Sequence, residues 1–255
     1  MITILTPTYN RAYIIGKAYE SLLRQTDLDF EWIIIDDGSS DDTKELVKGW
    51  AENNHGFPIT YRYKENEGKP SALNVGFPLA KGELAIILDS DDYLSDDAVE
   101  TIKYEWDQLS GIQNEIAGMV FLRGSPNTGK PMCNLFPQDH YRTNSINLRH
   151  KDHIKGEKIE VYRTEVWREF PFPVFENEKL CIEAVVTIRI ATKYDVVFIN
   201  KIIYWGDYLS DGYTAARKNK PIKENLLGDI LWYNEETTRH FPLAARVSSM
   251  IKYIG

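Results

Sequence analysis

Short apolar runs alternate with amphipathic segments through the first hundred residues of the chain. Four runs have the length and composition of strands, namely ITILT, EWIIID, ITYRYK and ELAIILD. The segment after the first run places apolar side chains on one helical face: Ile14, Ile15, Ala18, Tyr19, Leu22 and Leu23. Strands that alternate with helices are typical of βαβ units, so we predict an α/β fold with a mostly parallel central sheet flanked by helices.

The alternation becomes less regular beyond residue 115. IAGMVFLRG and KIEVYR predict further strands, and DVVFIN and KIIYWGDYL predict a pair of strands. Residues 125–158 are rich in Pro, Asn, Gly and basic side chains, which predicts a long surface excursion. Helical patterns occur around residues 180–193 and from about residue 221 onward.

Length and composition indicate one main domain. The 255 residues are 43% hydrophobic, which is enough for a sizeable core. We predict a domain over residues 1–215, with halves at 1–100 and 101–215, and a helical extension over residues 216–255. The sequence contains neither a signal-like segment nor a membrane-spanning apolar stretch, and this predicts a cytoplasmic protein.

Charge and cysteine content exclude several classes of function. The formal net charge of -8 argues against a protein that grips nucleic acid through phosphate contacts, because such proteins need a concentrated basic surface. The two cysteines, Cys133 and Cys181, lack the spacing of a zinc site and the density of a disulfide scaffold. We therefore expect both thiols to be reduced and buried.

Polar clusters follow three of the four early strands at their carboxyl ends. TPTYNR follows the first strand, DDGSS the second and DSDD the fourth. The carboxyl ends of parallel strands lie along one edge of a sheet, where open α/β folds bind their ligands. The sequence therefore predicts a shared site at this edge.

The character of the predicted site is acidic. No G-x-G-x-x-G follows the first strand, and Pro70 follows Gly68-Lys69 where a phosphate loop needs Ser or Thr. Asp89 and Asp91 share one side of an extended segment, and hard oxygen ligands of this kind suit Mg²⁺ or Mn²⁺ that bridges to a diphosphate. A strand-end turn in a solvated acidic loop is the better explanation of DSDD when it is taken alone, and DDGSS also suits a turn that leads to a helix cap. The position of both motifs at the same predicted sheet edge favours a site.

Four ordered motifs together resemble the family 2 glycosyltransferases: TPTYNRA, WIIIDDGSSDDT, NEGKPSALNVG and AIILDSDDYL. The later segments GEKIEVYRTEVWREFPFPVFENEKLCIEAVVTIRIA and YLSDGYT resemble a bacterial polysaccharide-type subgroup of that family. The resemblance implies a Rossmann-like GT-A fold. It also implies transfer of a sugar, usually with inversion, from a nucleotide-sugar such as a UDP-sugar to an acceptor hydroxyl, in synthesis of a cell-surface polysaccharide or glycolipid. The partners implied are this donor and a saccharide or lipid-linked acceptor.

The resemblance assigns roles to the residues at the sheet edge. Asp37, with Asp36 beside it, is expected to read the base, and Lys69 to lie near the nucleotide. Mn²⁺ or Mg²⁺ is expected to bind Asp91 and Asp89, with Asp92 in support. The full set expected to bind the nucleotide is Thr6, Pro7, Thr8, Tyr9, Asn10, Arg11, Asp36, Asp37, Lys69, Asp89 and Ser90.

A general base for the acceptor is expected at the start of a later helix. Related enzymes often carry an acid pair there, with the base second and an Arg six residues further on. Glu183 precedes Arg189 by this interval, although Ile182 stands where the first acid is common. We predict Glu183 as the base, with Glu178 as the alternative. An exposed helix acid is the other reading of Glu183.

Two further segments have open interpretations. Tyr208, Asp211 and Tyr213 suit an acceptor wall, because sugar rings bind aromatic faces and carboxylates, although YLSDGYT equally suits a turn. The last helical pattern has an apolar side that suits core packing, a homodimer contact or peripheral attachment to the inner face of the plasma membrane. The alternative functions are a catalytically silent nucleotide-sugar-binding protein and a nucleotidyltransferase.

Overall fold

The computed structural model describes residues 1–176, 178–179, 183–209 and 226–254. Its strands are β1 (Ile2–Thr8), β2 (Phe30–Asp36), β3 (Ile59–Tyr63), β4 (Leu84–Ile87), β5 (Tyr93–Leu94), β6 (Ile116–Ser125), β7 (Lys130–Pro131), β8 (Tyr141–Thr143), β9 (Lys158–Arg163) and β10 (Asp195–Trp205). Its α-helices are α1 (Gly16–Leu23), α2 (Thr43–Ala51), α3 (Lys69–Gly76), α4 (Ala98–Gln108), α5 (Ser145–His150), α6 (Thr164–Glu169), α7 (Ala184–Ala191), α8 (Leu226–Glu236) and α9 (Leu243–Ile254).

The strands of the described residues form one sheet in the order β3-β2-β1-β4-β9-β6-β10-β5, with β7 paired to β6 and β8 to β10. β3, β2, β1 and β4 are parallel, as predicted. β9 lies antiparallel between β4 and β6, and β10 runs parallel to β6. The carboxyl ends of β1, β2, β4, β6 and β10 therefore lie at one edge of the sheet, together with the amino end of β9.

Apolar side chains cover both faces of this sheet. On β2, Trp32 and Ile34 belong to the core on one face, and Ile33 and Ile35 to the core on the other. Successive strand residues point to opposite faces, so a strand with helices on both sides is apolar at every position. This arrangement explains the uninterrupted WIII run and confirms the predicted α/β fold with flanking helices.

The second half departs from the sequence-based prediction in two places. DVVFIN and the KIIYW part of KIIYWGDYL form one strand, β10, rather than a pair, and irregular pairing with β6 occurs between Ile199 and Ile202. The excursion predicted over residues 125–158 contains β7, β8 and α5. Both departures depend on long-range pairing partners, β6 and β10, which local composition does not reveal.

The C-terminal helices α8 and α9 pack on each other, and α8 also contacts α7. α9 leaves an apolar side exposed, with Leu243 at 71%, Val247 at 48%, Met250 at 43% and Ile251 at 68% exposure. Within the described ranges, none of the helices combines the length and the hydropathy required to cross a bilayer.

We expect Gly118→Ala to destabilise the protein strongly. Gly118 lies in β6 with φ +151°, and an added Cβ would meet the Val161 carbonyl oxygen at 2.2 Å. Backbone strain and this clash should lower the free energy of unfolding by roughly 2 kcal/mol or more. Gly111→Ala is the matched control, because its Cβ would meet no atom within 4 Å. Equal urea midpoints for the two variants would contradict the expectation.

Candidate active site

The end of β1 and the start of the loop after it form the first wall of the site. The Thr6 hydroxyl accepts a hydrogen bond from Trp32 Nε1 at 2.8 Å, and the buried Thr8 hydroxyl has no partner within the described residues. Asn10 has φ 52°, and its side-chain oxygen accepts the Ser40 N–H at 2.8 Å. Pro7 is buried, whereas the Tyr9 side chain is 48% exposed at the sheet edge. These contacts join the ends of β1 and β2.

Arg11 lies just beyond Asn10. Its backbone N–H donates to the Thr43 hydroxyl at 3.2 Å, and its guanidinium donates to Tyr13 Oη at 2.5 Å. The charge on Arg11 lowers the pKa of Asp91, against the stronger raising effects of burial and Asp89. Arg11 is therefore close enough to affect the acidic side of the site.

The two acids at the end of β2 are saturated by protein donors. Asp36 accepts hydrogen bonds from the Ser39 N–H at 2.8 Å and from Tyr61 Oη at 2.5 Å. Asp37 pairs with Lys64 Nζ at 2.8 Å and accepts the Gly68 N–H at 2.7 Å. Asp36 therefore shapes its own turn, and Asp37 holds the loop that leads into α3.

Lys69 is the first residue of α3 and bridges two carboxylates. Its Nζ lies 2.6 Å from Asp89 Oδ1 and 2.7 Å from Glu183 Oε1. Burial opposes its charge, but the carboxylates of Asp89 and Glu183 outweigh that effect and raise the pKa of Lys69. The preceding Gly68 has φ +98°, and any Cβ there would lie 2.2 Å from the Lys179 carbonyl oxygen. Only glycine permits this approach.

The loop after β4 is held by two side chains that the sequence analysis missed. Tyr204 Oη accepts the Asp89 N–H at 3.0 Å and donates to Asp92 Oδ2 at 2.8 Å. Arg123 Nη2 lies 2.9 Å from the same buried Asp92 oxygen. Arg123 and Tyr204 come from β6 and β10, whose carboxyl ends reach this edge. A charged Arg near the end of the otherwise apolar run IAGMVFLRG was the available signal.

Asp91 differs from its neighbours because no other described residue forms a hydrogen bond or ion pair with its carboxylate. Burial and the charge on Asp89 raise the pKa of Asp91. Ser90 between the two aspartates is buried. The loop therefore holds Asp92 tightly and leaves Asp91 available for a ligand.

Asp89 and Asp91 fit a divalent cation that takes only part of its coordination from protein. Among residues 1–176, 178–179, 183–209 and 226–254, no group of three or more His, Cys, Asp or Glu side chains is arranged to hold a metal ion. Mg²⁺ and similar cations commonly bind one or two carboxylates and complete their shell with water and substrate phosphates. The uncompensated charge on Asp91 is consistent with such a ligand.

The structure distinguishes the two candidate bases. Glu183 lies at the start of α7, where its side chain is 39% exposed and its Oε1 is held by Lys69. Glu178 accepts the N–H groups of Leu227 and Gly228 at 2.8 and 3.0 Å, so its carboxylate caps α8. Arg189 pairs with Glu235 at 2.7 Å rather than with either candidate. Of the two carboxylates, only Glu183 contacts the site.

A cavity of about 450 Å³ opens beside Lys69, Asp89 and Glu183. Apolar side chains line one part, including Leu148, Ile154, Trp167 and Phe172, and charged side chains line the rest, including Arg149, Lys155, Glu157 and Glu160. The cavity lies between β9 and the helices α5 and α7. It provides room for a second molecule next to the acidic edge.

The predicted acceptor wall is only partly described. Tyr208 Oη donates to Glu157 Oε1 at 2.8 Å, and burial together with this carboxylate raises the pKa of Tyr208 to about 12. This contact joins Tyr208 to the rim of the cavity, because Glu157 is one of its lining residues. Asp211 and Tyr213 lie outside the described residues.

A sequence profile described as Glycosyl transferase family 2 matches residues 3–165 of the chain. Among curated proteins, Glycosyltransferase GlyA from Streptococcus pneumoniae serotype 4 is 33% identical over 128 residues, which cover 47% of this chain. The chain spans only 18% of the length of that relative.

Solved structures resemble the chain over nearly its whole length. S. aureus TarS 1-349 in complex with UDP-GlcNAc has a TM-score of 0.70 and 20% identity, covering 99% of this chain and 71% of that chain. The mannosyltransferase PcManGT from Pyrobaculum calidifontis, in complex with GDP-Man and Mn²⁺, has a TM-score of 0.60 and 21% identity, covering 98% and 64%. These likenesses confirm the predicted GT-A fold.

We expect Tyr204→Phe to loosen the loop after β4. The substitution removes the hydroxyl shared by Asp89 and the buried Asp92. Leaving both groups short of a partner should cost about 1–3 kcal/mol of unfolding free energy, measurable by urea denaturation. Tyr104→Phe is the control, since Tyr104 is 61% exposed. A Tyr204→Phe variant as stable as this control would show that the bridge is dispensable.

Proposed function

This chain belongs to glycosyl transferase family 2, and we propose that it transfers a sugar from a UDP-sugar to an acceptor hydroxyl with inversion at the anomeric carbon. The observation that carries the proposal is the convergence of Lys69, Asp89 and Glu183 beside Asp91, whose carboxylate has no partner among the described residues. Donor-side acids, an acceptor-side base and a cavity for the acceptor then share one edge of the sheet.

On the donor side, Asp91 and Asp89 would hold Mn²⁺ or Mg²⁺ against the diphosphate. Such a cation stabilises the negative charge that develops on the departing nucleotide. The nucleoside would lie against Tyr9 and the turn after β2, and the fully buried Thr6 would support this wall through its hydrogen bond with Trp32. The Asp37 carboxylate is engaged by Lys64 and Gly68, so its contribution to base recognition would include the shape of the loop that it holds.

On the acceptor side, Glu183 would take the proton of the attacking hydroxyl. Lys69 occupies its Oε1, which leaves Oε2 for that hydroxyl. Attack from this side, opposite the departing phosphate, forms the new bond between the acceptor oxygen and the anomeric carbon as the old carbon–oxygen bond breaks. The ion pair with Lys69 would orient the carboxylate before the substrate arrives.

The acceptor proposed for the cavity is a saccharide or a lipid-linked saccharide, with Tyr208 at the rim. The exposed apolar side of α9 suits peripheral contact with the inner face of the plasma membrane or with a second copy of the chain. Both fit a cytoplasmic enzyme of bacterial cell-surface polysaccharide or glycolipid synthesis.

Two alternatives make different demands on the site. A catalytically silent nucleotide-sugar-binding protein would need the donor wall but not Glu183. A nucleotidyltransferase would need a glycine-rich basic loop for a triphosphate, whereas TPTYNRA, at the end of β1 and in the loop that follows, contains no glycine. The ion pair that orients Glu183 towards the cavity favours the transferase.

We expect Asp91→Asn to abolish the metal-dependent part of donor binding. Calorimetry of UDP-, GDP- and dTDP-sugars with and without Mn²⁺ would first identify the donor. Loss of one of two carboxylate ligands should then weaken binding in Mn²⁺ by roughly tenfold or more, with little change in its absence. Asp96→Asn is the control, since Asp96 pairs with Arg24 on the surface. Unchanged Mn²⁺ dependence in Asp91→Asn would refute the assigned ligand.

We expect Glu183→Gln to separate binding from chemistry. The amide keeps the side-chain shape but cannot accept the proton, so turnover should fall roughly 10²–10⁴-fold while donor affinity is retained. Donor hydrolysis and transfer both report this loss. Glu178→Gln serves as the comparison, because that carboxylate caps α8. Full activity in Glu183→Gln would favour the silent binding protein or another base.

A further inference from the structure

Glu160 is a carboxyl group in the middle of β9, within the sheet. β9 pairs with β4 so that Val161 lies opposite Ile86, and with β6 so that Glu160 lies opposite Val120. Extending the antiparallel β4–β9 register by one residue places Ile87 opposite Glu160. Cross-strand neighbours and alternate residues share a face, so Glu160 lies on the face of Ile87 and Asp89. Asp89 and Glu160 therefore lie close together on this face, and both line the cavity.

No other described residue satisfies this carboxylate with a hydrogen bond or an ion pair. Burial raises the pKa of Glu160 to about 7, and the carboxylates of Glu183 and Glu157 add to the rise, whereas Lys158 opposes it. A half-buried acid without a partner destabilises a fold. Its alternate neighbour Tyr162, on the same face, belongs to the apolar core. Packing alone would favour an apolar side chain at position 160.

The surroundings of Glu160 indicate what would satisfy it. Glu157, Glu160 and Glu183 line the same cavity, and further charged groups of its wall are Lys69, Asp89, Arg123, Arg149, Lys155, Lys158 and Glu236. Trp167 and Phe172 line the apolar part, with ring centroids 6.0 Å apart. Both rings are buried and stack on each other, so they form an apolar part of the wall. A sugar offers apolar C–H groups to such a wall and hydroxyl or amino groups to a carboxylate.

We propose that Glu160 is an acceptor-recognition residue, whose carboxylate accepts a hydrogen bond from a hydroxyl or amino group of the acceptor sugar bound in this cavity. The group it binds is not the attacking hydroxyl, which belongs to Glu183. This inference rests on the proposed transfer of sugar and adds a requirement for the acceptor. The acceptor group that contacts Glu160 is a hydrogen-bond donor and carries no negative charge.

The test measures nucleotide release from the donor that the wild-type protein hydrolyses, with and without glycoside probes. The probes are the methyl and p-nitrophenyl glycosides of glucose, galactose and glucosamine, with methyl glucuronide as the anionic comparison. We expect at least one neutral or amino glycoside to stimulate release and the glucuronide not to do so. Glu160→Gln should raise the KM for the stimulating glycoside by roughly tenfold, since a hydrogen bond to a charged group is replaced by a weaker one.

Donor affinity and hydrolysis without glycoside should stay within about twofold of wild type in Glu160→Gln, because Asp89, Asp91 and Glu183 are untouched. The melting temperature at pH 8 should rise, since an uncompensated charge is removed. A purely structural role predicts a lower melting temperature. Glu165→Gln is the matched control, since its side chain is 71% exposed and pairs with Arg163 outside the cavity.

An unchanged KM for the glycoside in Glu160→Gln would overturn the inference. So would the absence of stimulation by any neutral or amino glycoside in a protein that hydrolyses donor, or a loss of unstimulated hydrolysis equal to the loss of transfer. A wild-type protein that neither binds nor hydrolyses any nucleotide-sugar would instead contradict the proposed function, and with it this inference.

Discussion

The ammonium group of Lys69 joins the two sides of the site. Asp89 lies in the loop just after β4, and Glu183 immediately precedes α7, nearly a hundred residues later. Lys69 holds both carboxylates within 2.7 Å of its nitrogen. Without a cation between them the two charges would repel each other in a partly desolvated space. The position of Lys69 depends in turn on Gly68, whose backbone only glycine adopts readily, and on Asp37, which fixes the preceding loop.

The acids of the site separate into two physical groups. Asp36, Asp37 and Asp92 are buried, and protein donors satisfy their carboxylates, so these residues stabilise the turns and loops in which they lie. Asp91 and Glu160 have no such partners among the described residues. Burial raises the pKa of both, as it does for Asp92, so the difference lies in the partners. Saturated carboxylates make a rigid frame, and unsatisfied ones are the natural contacts for ligands. Nearby positions in DSDD therefore differ in role although their chemistry is the same.

Sheet topology explains why these groups meet. β9 runs opposite to β4 and β6, so its amino end reaches the edge at which the other strands finish. That reversal brings Lys158 and Glu160 beside the loop after β4. The parallel alignment of β6 and β10 delivers Arg123 and Tyr204 to the same loop from the other side. The acids of the loop after β4 and the cavity are thus adjacent because one strand is antiparallel to its neighbours.

The sequence by itself determined the four parallel strands, the edge that carries Asp37, Lys69, Asp89 and Asp91, and the family, because apolar periodicity and strand-end motifs are local properties of the chain. Only the tertiary structure decided that Arg123 and Tyr204 hold Asp92, that Glu178 caps a helix, and that Glu160 faces the cavity. Each of these depends on contacts between segments far apart in sequence. For Arg123, Tyr204 and Glu160, which lie in strands, one shift of register would turn the side chain to the other face of the sheet.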